Sequence, residues 1–125
     1  MSIERFGPPA AGGTPYSKAV RAGDFVFVSG QVPAGPDGVL IGGGIEAQTK
    51  QSIENIKTIL SSLGLSLKDV VKATCWIDDA RDFAAFNRVY ASYFGEGLPA
   101  RSTVESKLVV DCKVEIEVVA YAPKK

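Results

Sequence analysis

Three stretches of this chain alternate with period two and carry large apolar side chains on both faces, yet only two segments show helical spacing. In the first stretch Val26 and Val28 alternate with Phe25, Phe27 and Ser29. In the second, Val71, Ala73, Cys75 and Ile77 alternate with Val70, Lys72, Thr74 and Trp76. In the third, Val114, Ile116, Val118 and Ala120 alternate with Glu115, Glu117, Val119 and Tyr121. Successive strand residues point to opposite faces, so the first-named sets form a clean apolar face and the others a mixed one. Two helices can cover one face of such a sheet. A contiguous apolar patch on the other marks an interface. The pattern therefore predicts an oligomer whose second sheet face is buried against sister subunits.

The remaining elements fall between these strands. Residues 1 to about 15 are rich in Gly and Pro without a period and read as an extended arm. Residues 16–22 read as a short strand, joined through Gly23-Asp24 to the strand 24–31 as a hairpin. The loop 33–44 holds Pro-Asp-Gly and Gly-Gly-Gly, but no Gly-Lys-Ser/Thr follows and neither cluster fits a phosphate-binding motif. A helix over 45–63 carries Ile53, Ile56, Ile59, Leu60 and Leu63 on one stripe, with Gly64 as its stop. After the strand 69–78, Asp79 caps a second helix whose stripe is Phe83, Phe86, Asn87, Tyr90 and Phe94. Strands near 101–108 and 112–122 follow. The order predicts one α+β domain over 1–125, a mixed sheet with both helices on one face.

Charge and composition narrow the chemistry. Fourteen basic residues balance fourteen acidic ones, so nothing draws the chain generally toward nucleic acid or an anionic membrane. There is no histidine, which removes the usual general base and every Ser-His or Cys-His nucleophile pair. Cys75 and Cys112 make neither a Cys-x-x-Cys motif nor a zinc ligand set, and Cys75 reads as a small buried hydrophobe. No metal and no cofactor are expected. The first residues lack a basic segment followed by an apolar core, and no apolar run reaches membrane length; the expectation is a cytoplasmic protein.

Leu98-Pro99-Ala100-Arg101-Ser102-Thr103-Val104 is the stretch with the clearest chemical promise. Pro99 suits a strand entrance. From there Arg101, Thr103, Glu105 and Lys107 fall on one face, and Ser102, Val104, Ser106 and Leu108 on the other. The spacing places the guanidinium first on the polar face, as a fork for a carboxylate or phosphate. Arginines in such contexts are more often solvated surface residues. With Arg101, the mixed face is read as holding Ser29, Lys72, Glu115 and Glu117. A Glu-x-Glu strand is more often surface than acid/base machinery, Asn87 fits a backbone-bonded amide, Tyr16 fits packing, and Lys72 is expected to pair with a carboxylate across the sheet.

Several motifs together resemble the RidA/YjgF reactive-intermediate deaminases: Tyr16-Ser17-Lys18-Ala19-Val20, Val28-Ser29-Gly30-Gln31-Val32-Pro33 and Gln48-Thr49-Lys50-Gln51-Ser52. Asn55-Ile56, Asp69-Val70-Val71-Lys72, Asp82-Phe83, Asn87-Arg88-Val89-Tyr90, Pro99-Ala100-Arg101-Ser102 and Val114-Glu115-Ile116-Glu117 continue it. The resemblance implies a chorismate-mutase-like fold and a homotrimer with clefts at its interfaces. It also implies hydrolysis of 2-imino acids, products of pyridoxal-phosphate enzymes, to 2-keto acids and ammonia. It gives Arg101 the substrate carboxylate and Glu115 the attacking water, with Tyr16, Ser29 and Asn87 lining the cleft and Gly30 and the Thr103 backbone beside it. Thr14 where the deaminases usually have Gly, Thr103 where many have Cys, and a short loop before Pro99 are departures that border the cleft. Two other classes stay open: a ribonuclease acting on translation, and a non-catalytic trimer that binds small keto or amino acids.

Overall fold

The structure is a computed structural model that describes residues 2–7 and 13–124. Its centre is a six-stranded sheet in the order β1-β2-β3-β6-β4-β5, with β1 Ile3–Phe6, β2 Ala19–Ala22, β3 Phe25–Gln31, β4 Val70–Ile77, β5 Ala100–Glu105 and β6 Val114–Tyr121. Every neighbouring pair is antiparallel except β4 and β5. The helix α1, Ile45–Ser62, crosses the sheet between β3 and β4, and α2, Phe83–Phe94, carries the chain from β4 back to the start of β5. A parallel neighbour requires such a crossover, because the chain must return to the end where the previous strand began.

One sheet face packs against the helices. Val26, Val28, Ala73, Cys75, Ile77, Val114, Ile116, Val118 and Ala120 are buried with Ile53, Ile56 and Leu60 of α1 and Phe86, Tyr90 and Phe94 of α2. The α1 stripe turns polar toward its first half, where Gln48, Thr49 and Ser52 are buried. Gln48 is held at both ends: its Oε1 accepts from the Lys113 amide at 2.8 Å, and its Nε2 donates to the Ile41 carbonyl at 3.2 Å. At the other end Gly64 takes φ +76° while its amide donates to Ser61 O and that of Leu65 to Leu60 O, which closes the helix through two carbonyls that lack helical partners.

Four expectations need correction. The segment counted as an arm contains β1, which pairs with β2 from Ile3↔Ala22 to Phe6↔Ala19; four residues are too few to display a period. Val70, not Val71, is in the core, because β4 shifts register against β6 between Val70 and Lys72. That irregularity moves one residue across the pleat. Asp79 caps a single 3-10 turn, Ala80–Asp82, by accepting from the Arg81 amide at 2.9 Å, and α2 proper starts at Phe83. The strand expected over 101–108 ends sooner: β5 stops at Glu105 and leaves 106–108 beyond it.

Among the described residues no helix covers the second face. Across β1, β2, β3 and β6 the register aligns Ile3, Ala22, Phe25 and Tyr121, and beside them Arg5, Val20, Phe27 and Val119. Phe25, Phe27 and Tyr121 are each more than two-fifths exposed, and the Phe25 and Tyr121 rings are 5.6 Å apart. Patches of this kind are read as contact surfaces.

Candidate functional site

Arg101 does not lie on the open face. β5 pairs with β4 so that Arg101 stands beside Ala73 and Thr103 beside Cys75, two residues buried against the helices. The polar alternation of β5 is therefore inverted relative to the expectation: the side carrying Ser102 and Val104 is the open one. The reason is that a period of two separates the faces without saying which is covered; the pairing partner decides.

The α2 crossover places three aromatic rings against the guanidinium. Arg101 Cζ sits 4.7 Å from the Tyr90 ring centroid, 5.4 Å from that of Phe86 and 5.6 Å from that of Phe83. Residues at i, i+3 and i+7 share one helix face, which is why one stripe can supply all three. Arg101 is half-buried, and among the described residues it forms no ion pair and donates no hydrogen bond. Asn87 lies on the same helix between Phe86 and Tyr90, and its Oδ1 and the Tyr90 hydroxyl are buried without a partner among the described residues. Cys75 beneath them is inert: burial pushes its thiol up to about 12 against the lowering pull of Arg101.

The remaining predicted residues collect elsewhere. Glu115 faces Trp76 across β4–β6 and Glu117 faces Thr74, both on the open face. In β3 the two residues Ser29 and Gly30 stand where β6 has only Glu117, since Val28 pairs with Val118 and Gln31 with Ile116. The bulge turns Gly30 toward Glu115, so closely that a Cβ on Gly30 would overlap Glu115 Oε2. Burial raises the Glu115 carboxyl above the ordinary carboxylate range, and the Glu117 charge raises it further. Ser29 serves the strand beside it: its hydroxyl donates to the Ser17 carbonyl at 2.6 Å. Tyr16, next to that anchor, is about half exposed rather than packed, and it borders with Gly30, Gln31 and Asn55 a hollow of about 540 Å³. Among the described residues Lys72 pairs with no carboxylate; the register sets it opposite Val119 while Glu117 faces Thr74, and its Nζ donates to Ser102 Oγ at 3.2 Å.

The predicted residues thus form two groups. Arg101, Thr103 and Asn87 lie on the helix-covered side at the edge strand, and Tyr16, Ser29, Gly30 and Glu115 lie around β3 and β6. Glu115 is separated from Arg101 by the sheet itself and by two strand spacings, roughly 9–10 Å. A small molecule cannot touch both within one chain. The three rings beside Arg101 read from the sequence as members of one helical stripe; the signal for more is that this stripe lies in the helix that leads directly into the arginine strand.

Fold and charged groups together give an α+β protein with a half-buried arginine on the helix-covered side of its sheet and a partly buried glutamate on the open side. The chain belongs to the family described as Endoribonuclease L-PSP, which its residues 8–122 match. It is similar to a RutC family protein of Pyrococcus horikoshii, 51% identical over 109 residues and 86% of each chain. It is also similar to a 2-iminobutanoate/2-iminopropanoate deaminase of Salmonella typhimurium, 42% identical over 116 residues and 90% of each chain. Among solved structures, the Rid-family protein YyfA of Yersinia pestis matches with a TM-score of 0.88 at 37% identity, over 97% of this chain and all of that one. The resemblance to the RidA/YjgF proteins and the α+β fold it implied are borne out.

Proposed function

We propose that the chain hydrolyses small 2-imino acids to 2-keto acids and ammonia, in clefts that two copies share within a homotrimer. The observation that carries this reading is Arg101: a half-buried guanidinium seated on aromatic rings with no acidic partner among the described residues. Its in-plane donors suit a carboxylate. Glu115 supplies the second requirement, a carboxyl whose raised affinity for protons suits both taking and returning one. The similarity to a named deaminase at 42% identity points the same way.

In the proposed reaction Arg101 of one copy holds the substrate carboxylate and orients the planar imine carbon. Glu115 of the next copy accepts a proton as water oxygen bonds to that carbon. The proton returns to nitrogen to give a carbinolamine; Glu115 then passes the hydroxyl proton to nitrogen, the carbon–oxygen double bond forms as the carbon–nitrogen bond breaks, and ammonia leaves a 2-keto acid. An imine carbon is already electrophilic, so placement of water and of the anion is most of the task. No cofactor takes part. The open face with Phe25, Phe27 and Tyr121 is the surface on which the copies would meet.

No described helix is long and apolar enough to cross a membrane, and the cytoplasm is the compartment we propose. The matching family's description names a ribonuclease; a net charge of zero and the lack of histidine weigh against RNA cleavage here. The test is 2-keto acid release from freshly generated 2-iminopropanoate and 2-iminobutanoate beside the buffer rate. Arg101→Ala should remove the acceleration, a loss of about 2–5 kcal/mol in transition-state stabilisation, and Arg101→Lys should restore little of it. A wild-type rate equal to buffer, with saturable keto-acid binding, would make the chain a binding protein instead.

A further inference from the structure

A guanidinium held against a protein can be held in two ways. Its edge can be tied by carboxylates and carbonyls, which consumes the donors, or its flat face can rest on an aromatic ring, which leaves the donors free. Arg21 shows the first arrangement in this chain, its Nη1 donating to the Ala122 carbonyl at 2.6 Å. Arg101 has no such tie among the described residues and lies against rings instead. Tyr90 is the nearest of its three rings, at 4.7 Å, and is itself 4% exposed, so the ring is fixed in place. It is wedged between neighbours on its own helix, with the Phe94 centroid 4.6 Å away and that of Phe86 5.7 Å away. The Tyr90 hydroxyl is buried without a partner among the described residues. Burial, the first cause, pushes it up to about 12, so the ring stays neutral beneath the cation.

We propose that Tyr90 is the positioning residue of the carboxylate site: its ring seats the Arg101 guanidinium by the face, backed by Phe86 and Phe83, and keeps the donor edge free for the substrate's carboxylate. The inference rests on the reading of Arg101 as the anion-binding group and adds what holds that group ready. A long flexible side chain fixed in advance loses less freedom when it binds, so the effect falls on affinity for the anion and not on the chemical step. The role belongs to the ring and not to the hydroxyl.

The test compares Tyr90→Phe with Tyr90→Leu, and with Tyr90→Met should the Leu variant fail to fold. Two probes are titrated by ligand-observed NMR, which needs no turnover: 2-oxobutanoate and its neutral analogue 2-oxobutanamide. Tyr90→Leu should weaken 2-oxobutanoate binding on the order of tenfold while 2-oxobutanamide changes by less than about twofold. Tyr90→Phe should bind both as the wild type does. In turnover the Leu variant should raise KM with kcat little changed. Equal weakening of both probes would assign Tyr90 to packing alone and overturn the proposal, as would a Phe variant as weak as Leu, or a Leu variant that binds 2-oxobutanoate normally. Arg101→Ala is measured alongside; if it binds 2-oxobutanoate normally, the carboxylate site itself is misplaced, a different failure from that of Tyr90.

Discussion

Replacing Gly30 with alanine separates folding from function sharply. Gly30 does not adopt a positive φ, so its backbone accepts an L side chain without strain. The added methyl would overlap Glu115 Oε2 and lie 3.1 Å from Cδ and 3.3 Å from Cγ of the same residue, and those three atoms are its nearest neighbours. Everything that must move is the end of one flexible side chain. To reach van der Waals contact the carboxylate must swing away on the order of 1 Å, a rotamer adjustment that costs about 0.5–1.5 kcal/mol. Alanine also reduces the freedom of the unfolded chain, which offsets about 0.4–1 kcal/mol of that. Stability should therefore change by less than about 1 kcal/mol. Catalysis should not be spared: a 1 Å displacement of a positioned base is expected to lower turnover roughly 10²-fold. The assay is 2-keto acid release from freshly generated 2-iminopropanoate, with thermal unfolding measured on the same preparation. A Gly30→Ala variant that turns over at the wild-type rate would refute the placement of Glu115 in the mechanism. A collapse of thermal stability would refute the claim that only a side-chain tip is displaced.

Three further outcomes follow from the same geometry. Glu115 must be ionised to accept a proton, so activity should fall on the acid side at a pH above the ordinary carboxylate range, and Glu117→Gln should move that limb downward by removing one of its two raising causes. Because the folded-state affinity of Glu115 for its proton is raised, its stabilising contribution is complete below the ordinary carboxylate pKa and is lost as pH rises through the raised one. Glu115→Gln should therefore match wild type in acid and exceed it in thermal stability at neutral pH, measured by melting across that window. Phe27→Asp, on the open face, should lower the assembled mass by light scattering and lower turnover with it; an unchanged mass would remove that face from the interface.

The succession of strands and helices was legible because each long element keeps its period over several turns or pleats. What escaped was phase. Alternation alone places Val71 in the core, because a strand irregularity leaves no mark on an apolar dipeptide such as Val70-Val71. Arg101 and Glu115 were each visible as chemistry-bearing residues, but their placement on one face depended on how β5 pairs, and a parallel pairing to β4 reversed it. Gly30 was legible as a motif residue, while its reason, the Glu115 carboxylate lying against it, belongs to a bulge formed by residues far apart in the chain. Lys72 found a serine because the nearest carboxylate was one pleat out of register.

On the proposed reading, a sheet that keeps Arg101 on one side and Glu115 on the other makes each chain half of two different clefts. Two inactive proteins should then repair one another. Arg101→Ala chains retain Glu115, and Glu115→Gln chains retain Arg101, so neither assembles a working cleft alone. Unfolded together in equal amounts and refolded, they should regain about a quarter of the wild-type clefts, those where an intact arginine meets an intact glutamate across the boundary. A unit enclosed in a single chain would regain nothing.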